Sequence, residues 1–171
     1  EWRQEQHFRD ARITSIYEGT TGIQGLDLLG RKILSSRGKA LEPFVKLVLG
    51  FCKQHPESPY AGTLQTQMQK WVELTTELGM KAMKNPDEVN AAAYDYLMFS
   101  GYSVLAWTWA QSALAATAAL EKSPSEAEAN FYQEKLNTAR FYFERLLPRT
   151  LALEVSIRAG VETLPEFSAP L

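Results

Sequence analysis

The sequence predicts an all-α protein, an antiparallel up-down four-helix bundle preceded by a short helix. Three observations carry this. Apolar residues recur at three- and four-residue spacing over long stretches, and no strand-like alternation competes with them. The breaks "HPESP", "KNPDE" and "SPSE" are short and rich in helix-starting residues. Long helices joined by short connections favour antiparallel neighbours.

Residues 1–20 are short on pattern, and "EWRQEQHFRDARI" could be the end of an earlier helix. A short helix is predicted from Thr21 to about Leu34, with Ile23, Leu26, Leu29 and Ile33 near helical spacing. Ser35 to Gly38 reads as a linker and gives the best candidate boundary, dividing the chain into 1–35 and 36–171. The first bundle helix is predicted from Lys39 to Gln54, with Phe44, Leu47, Val48 and Phe51 as its apolar face and Pro43 tolerable in its first turn. The second runs from Pro59 to Lys84, with Ser58 as N-cap, Pro59 at the first helical position and a stripe of Leu64, Met68, Trp71, Leu74 and Leu78. Asn85 and Pro86 start the third in the same way, and it extends to about Lys122. The fourth starts with Ser123 as cap and Glu126 closing a capping box, and runs from Pro124 towards Ala159. Pro148 should kink it, because proline removes one backbone hydrogen bond and clashes with the preceding turn. Gly160 is the predicted C-cap, and the tail beyond it should be extended.

Composition narrows the functional classes. Of 171 residues, 45% are hydrophobic, enough for a real core. With 18 basic and 20 acidic residues the net charge is -2, so no single-sign field points to nucleic acid. Cys52 stands alone in the apolar run "FVKLVLGFCKQ" and is expected to be a buried thiol; no disulfide framework is possible within one chain. Tyr96 to Leu120 has no charged residue and is long enough to cross a bilayer. Its serines, threonines and alanines, and its flanks Asp95 and Glu121, point instead to a central helix covered on several sides. His7 and His55 make no metal-ligand pattern with cysteine, and no metal site is predicted. Arg140, Arg145, Arg149 and Arg158 are expected on a solvated or inter-domain face. Trp71, Trp107, Trp109, Phe141 and Phe143 are expected as core or interface aromatics. The chain begins Glu-Trp-Arg rather than with Met, which predicts a fragment or a processed product.

The stretch "RDARITSIYEGTTGIQGLDLLGRK", residues 9–32, is unlike the rest. It places Glu18 before a helix, where the positive end of the helix dipole favours a carboxylate for structural reasons alone. The flanking Gly19 and Gly22 also leave space for a ligand against backbone N–H groups. On the residues alone both readings stand.

"RDARITSIYEGTTGIQ" resembles the C-terminal signature of the acyl-CoA dehydrogenases, a contiguous and specific match over residues 9–24. The resemblance implies that Glu18 is the catalytic base, taking the proton α to a thioester carbonyl while a hydride leaves the β carbon for FAD. The product implied is a trans-2-enoyl-CoA, with an electron-transfer flavoprotein receiving the electrons, as in fatty acid β-oxidation. In the family the backbone N–H of this glutamate helps to polarise the thioester carbonyl, as the developing charge requires. A carboxylate desolvated by substrate and flavin gains basicity. Tyr17 and Gly19 would touch substrate; Thr20 and Gly22 would fall at places that contact FAD. Many members carry Gln where this chain has Gly22, so that contact is lost or passes to the backbone.

"YEGTTGIQGLDLLGRK" further resembles a subgroup with an extra helical domain after the usual C-terminus, such as dehydrogenases of 3-methylthiopropionyl-CoA. It implies that residues 1–35 end the dehydrogenase's C-terminal helical domain and 36–171 form the added bundle. It also implies a homo-oligomer in the cytoplasm, or in the mitochondrial matrix of a eukaryote. The chain alone is expected to be inactive and to hold no FAD tightly. Two alternatives remain: a non-catalytic bundle acting as an interaction or oligomerisation module, and a helical protein that binds lipid or acyl chains in its interior.

Overall fold

The computed structural model describes residues 4–14 and 20–164. All regular structure among these residues is helical, as the sequence predicts. The helices are α1 (Gln4–Arg12), α2 (Thr21–Leu26, continued by a π-helical stretch, Asp27–Leu34), α3 (Glu42–Gln54) and α4 (Ala61–Lys84). They are followed by α5 (Asp87–Leu120), α6 (Glu126–Phe141, continued by a π turn, Tyr142–Leu146), α7 (Arg149–Ala159) and a 3-10 turn, Val161–Thr163.

The 34-residue α5 is about 50 Å long and forms the axis of the molecule. Helices α2, α4, α6 and α7 all pack on it, while α3 packs on α4. The sequence of α5 explains this role. Buried Ala92, Ala93, Ala106, Ala110, Ala113 and Ala116 let neighbouring helices come close, and the fully buried Tyr96 and Phe99 fill the space between them. The predicted central helix is therefore found. Among the described residues no helix is long and apolar enough to cross a membrane.

The stripe predicted on α4 is its buried face: Leu64, Met68, Trp71, Leu74 and Leu78. Two buried polar pairs lock it to α5. The hydroxyls of Thr75 and Tyr96 lie 2.7 Å apart, and Gln67 Nε2 donates to Ser103 Oγ at 2.9 Å. Such partners are what make buried polar groups tolerable in a core. Higher positions on α4 meet lower ones on α5, so this pair runs antiparallel. On α3 the buried face is Val45, Val48 and Cys52, whereas Leu47 is 53% exposed, a correction to the predicted face. Phe44 contacts both Trp71 and Trp107 edge-on, at 5.8 and 5.4 Å. Cys52 is a free, buried thiol, as expected, and burial raises its pKa.

Several helix ends differ from expectation. Helix α3 starts at Glu42, because Arg37 and Gly38 both take positive φ and hold residues 35–41 in turns. Helix α4 starts at Ala61 with Tyr60 as cap; Ser58 Oγ instead accepts from Tyr60 N–H within the preceding turn, at 3.4 Å. Asn85 does accept from the start of α5, its Oδ1 bonding Asp87 N–H at 3.0 Å, but Pro86 is the cap residue rather than the first helical one. The capping box lies two residues later than predicted. Ser123 has φ 52 and ends the turn after α5, whereas Ser125 is extended and caps α6. The Glu128 carboxylate accepts from Ser125 N–H at 3.0 Å and from its hydroxyl at 2.6 Å.

Pro148 divides the predicted fourth helix rather than only kinking it. The chain widens into the π turn, with Leu147 N–H donating to Tyr142 O at 2.9 Å, and α7 begins anew with Pro148 as its cap. Gly160 is the C-cap, at φ 79. A side chain there would crowd the Glu88 carboxylate at 3.2 Å, which accepts from Val161 N–H. The tail is thus a 3-10 turn before it extends at Leu164.

Candidate functional site

Helix α2 is the element that carries the signature segment onto the bundle. Its cap, Thr20, is extended, and its Oγ1 accepts from Ile23 N–H at 3.4 Å. A hydroxyl that accepts in this way still has its own O–H to donate. Gly22 is exposed, and a Cβ there would meet only Thr20 Oγ1, at 4.0 Å. Both candidate cofactor contacts thus stand at the exposed start of α2. Tyr17, Glu18 and Gly19 lie outside the described residues.

What fixes α2 is Gly25, which the sequence alone did not single out. A Cβ at Gly25 would lie 2.6 Å from Ala93 O and 2.8 Å from its carbonyl carbon. Only glycine permits two helix backbones to meet so closely. One turn further on, Val89 Cγ1 lies 3.4 Å from where a Cβ of Gly30 would be. Leu29 and Ile33 complete the buried side of α2 and join the main core. A glycine inside a helical pattern was the available signal for this close approach.

The charges on α2 are paired locally. Asp27 pairs with Arg31 and, at 3.0 Å, with Lys32. Hydrogen bonds from these two cations hold the Asp27 carboxyl down at about 2.

The predicted arginine face divides. Arg140 pairs with Glu144 at 2.9 Å on the surface, and Arg149 donates to Tyr102 Oη at 3.3 Å. Arg158 is half-buried: it bridges α7 to α4 through Glu77 at 2.8 Å and also pairs with Glu154, which Lys70 reaches at 2.8 Å. These bonds raise the Arg158 pKa and lower that of Glu154. Lys81 Nζ closes the end of α7 on Arg158 O at 2.8 Å. Among the aromatics, Trp71 is core, Phe143 stacks on Tyr60 at 4.0 Å, and Phe141 is 55% exposed.

A groove of about 820 Å³ lies between the end of α2 and α4, lined by Leu34, Arg37, Thr76, Gly79, Met80 and Met83. A second, of about 430 Å³, continues it between α3 and α4. Both are open at the surface, so neither is the enclosed acyl chamber that the lipid-binding alternative needs. Neither is lined by Thr20 or Gly22. Among the described residues no group of three or more His, Cys, Asp or Glu is placed to hold a metal ion.

Comparison with known proteins adds a family to this geometry. The family model described as "Acetyl-CoA dehydrogenase C-terminal like" matches residues 44–168. The chain is 32% identical over 170 residues to a broad-specificity linear acyl-CoA dehydrogenase of Mycobacterium tuberculosis, covering 94% of this chain and 27% of that protein. It is 33% identical over 147 residues to the 3-methylmercaptopropionyl-CoA dehydrogenase of Ruegeria pomeroyi, covering 83% and 24%. A butyryl-CoA dehydrogenase of Syntrophomonas wolfei is 23% identical over 156 residues, covering 89% and 26%. The chain spans about a quarter of the length of these curated relatives and matches their C-terminal regions.

Proposed function

The chain belongs to the acetyl-CoA dehydrogenase C-terminal-like family, and from that premise we propose that it is the C-terminal part of an FAD-dependent acyl-CoA dehydrogenase with Glu18 as its base. Residues 1–35 would close the catalytic body and 36–171 form the added bundle. The single observation that supports this most is the unbroken run "RDARITSIYEGTTGIQ", joined through α2 to a bundle of that family.

In the full-length enzyme Glu18 takes the proton α to the thioester carbonyl, and its own N–H donates to that carbonyl as charge develops there. Tyr17 and Gly19 border the substrate. FAD, when bound, supplies the hydride acceptor, and Thr20 and Gly22 are the residues of this chain that would contact it. The rest of its enclosure comes from upstream of residue 1, which is why the chain alone is expected to be inactive. An acyl-CoA substrate, an electron-transfer flavoprotein as acceptor and a homo-oligomer in the cytoplasm or matrix belong to the same reading.

The test is Glu18→Gln in the full-length protein. Turnover of acyl-CoA should fall by about three or more orders of magnitude, as for loss of a group that takes part in proton transfer in the transition state. The flavin absorbance per protein should stay unchanged. Near-normal turnover in this variant sinks the assignment.

A further inference from the structure

The surface of α5 shows a feature that its role as an axis does not explain. Past Ser100 one flank of this helix lies open: Gly101, Val104, Leu105, Thr108, Gln111 and Ala115 are all exposed. Val104 is 37% and Leu105 49% exposed, and no charged residue occurs anywhere from Tyr96 to Leu120. The outer faces of the neighbours are different. Helix α6 turns Glu134 and Arg140 to solvent, and α4 turns Glu73. A solvated helix face ordinarily carries charge, so an uncharged one this long is a surface that something covers.

The geometry of α2 identifies the occupant. Gly25 lies against Ala93 and Gly30 beside Val89, so α2 runs antiparallel to α5. Its N-terminal end therefore points towards the open half of α5. Ala93 and Gln111 are eighteen positions apart (111 − 93), about five helical turns, and so face the same side. The edge of the open flank in line with the α2 side is Val104 and Gln111, with Ala115, Thr108, Gly101 and Leu105 progressively further round the helix. Helix α1 does not cover this flank, since α1 buries none of its residues. The curated relatives are about three and a half times as long, with this chain matching their C-terminal regions.

We infer that the open flank of α5, from Gly101 to Ala115, is the docking surface for the preceding part of the same polypeptide, so that the bundle and the catalytic body form one rigid unit. The inference rests on the reading of the chain as a dehydrogenase C-terminus. It gives the added bundle a definite role, with α5 held by α2 along one half of its length and by the catalytic body along the other. Glu18 lies between those two attachments in sequence.

The test uses full-length protein carrying Leu105→Cys or Gln111→Cys, with Glu134→Cys on the outer face of α6 as reference and the unsubstituted protein as background. Maleimide labelling should be more than about ten-fold slower at positions 105 and 111 than at 134, because a covered thiol reacts only through local opening. The ratio should not change with protein concentration. Equal rates at the three positions overturn the inference. So does slowing that appears only as concentration rises, which assigns the flank to a second copy, or only when phospholipid vesicles are added, which assigns it to a membrane. Gln111→Cys guards against a Leu105 variant that loosens the contact itself. Turnover of acyl-CoA by the unsubstituted protein is read separately. An active enzyme with freely labelled thiols sinks the docking alone, and an inactive protein with protected thiols sinks the enzymatic reading alone.

Discussion

Helix α5 is gripped from two sides by different means. Against α4 it is held by bulk, with Trp71, Leu74 and Phe99 buried together and the Thr75–Tyr96 and Gln67–Ser103 pairs fixing the register. Against α2 it is held by proximity, with the Gly25 backbone on that of Ala93 and only Leu29 and Ile33 driven into the core. The first contact buries large side chains, and hydrophobic stabilisation scales with area removed from water. The second buries little but tolerates almost no displacement. Of these two contacts, α4–α5 therefore contributes more to stability, and α2–α5 fixes where α2 itself lies.

The strongest way to break this contrast is on the bulky side. Trp71→Ala should destabilise the bundle by about 3–5 kcal/mol, the usual cost of emptying a large aromatic site. Thermal or urea unfolding reads it, and a loss under about 1 kcal/mol would place the core elsewhere. Gly25→Ala should cost about 1–3 kcal/mol, because the added methyl meets backbone that cannot rotate away. In the full-length enzyme it should also lower turnover while the near-ultraviolet signal of the Trp71 cluster persists. Unchanged stability and unchanged turnover would show that α2 needs no such approach.

The ionic staple between α4 and α7 gives a smaller, pH-dependent effect. Lys70 and Arg158 lower the Glu154 pKa from its ordinary 4.5. A depressed carboxylate contributes fully above its unfolded value and loses that contribution as pH falls through the folded one. Glu154→Gln should therefore cost about 1 kcal/mol at neutral pH. Its difference from the unsubstituted protein should shrink as the pH falls below 4.5. A difference that is flat across that range removes Glu154 from the staple. The smallest effect is expected from Thr20→Ala, about 0.5 kcal/mol, since that cap bond is exposed and long. Helicity of α2 and flavin content of the full-length enzyme together separate a capping role from a cofactor contact.

Much of the architecture was legible because proline, glycine and short polar breaks punctuate strongly periodic helices. The stripe of α4 and the central place of α5 follow from such patterns. The cap of α6 was misplaced because two overlapping frames, Ser123 with Glu126 and Ser125 with Glu128, satisfy the same motif, and only the backbone at Ser123 decides between them. The π turn at Tyr142–Leu146 has no signature in a 3.6-residue periodicity. Gly25 looks like any glycine in a helix until its neighbour across the interface is known. Which side of α5 stays open is likewise a property of packing. The candidate catalytic residues were legible through family resemblance alone: Tyr17, Glu18 and Gly19 precede the first packed turn of α2, and local pattern gives Glu18 no distinguishing partner.

The central claim is that Glu18 removes a proton from the carbon next to a thioester. Deuterium exchange from heavy water into the α position of a bound, slowly oxidised acyl-CoA, followed by mass spectrometry on the full-length enzyme, observes that step directly. Exchange is predicted for the unsubstituted enzyme and its absence for Glu18→Gln at equal flavin content and equal acyl-CoA binding. Undiminished exchange in Glu18→Gln would contradict the account.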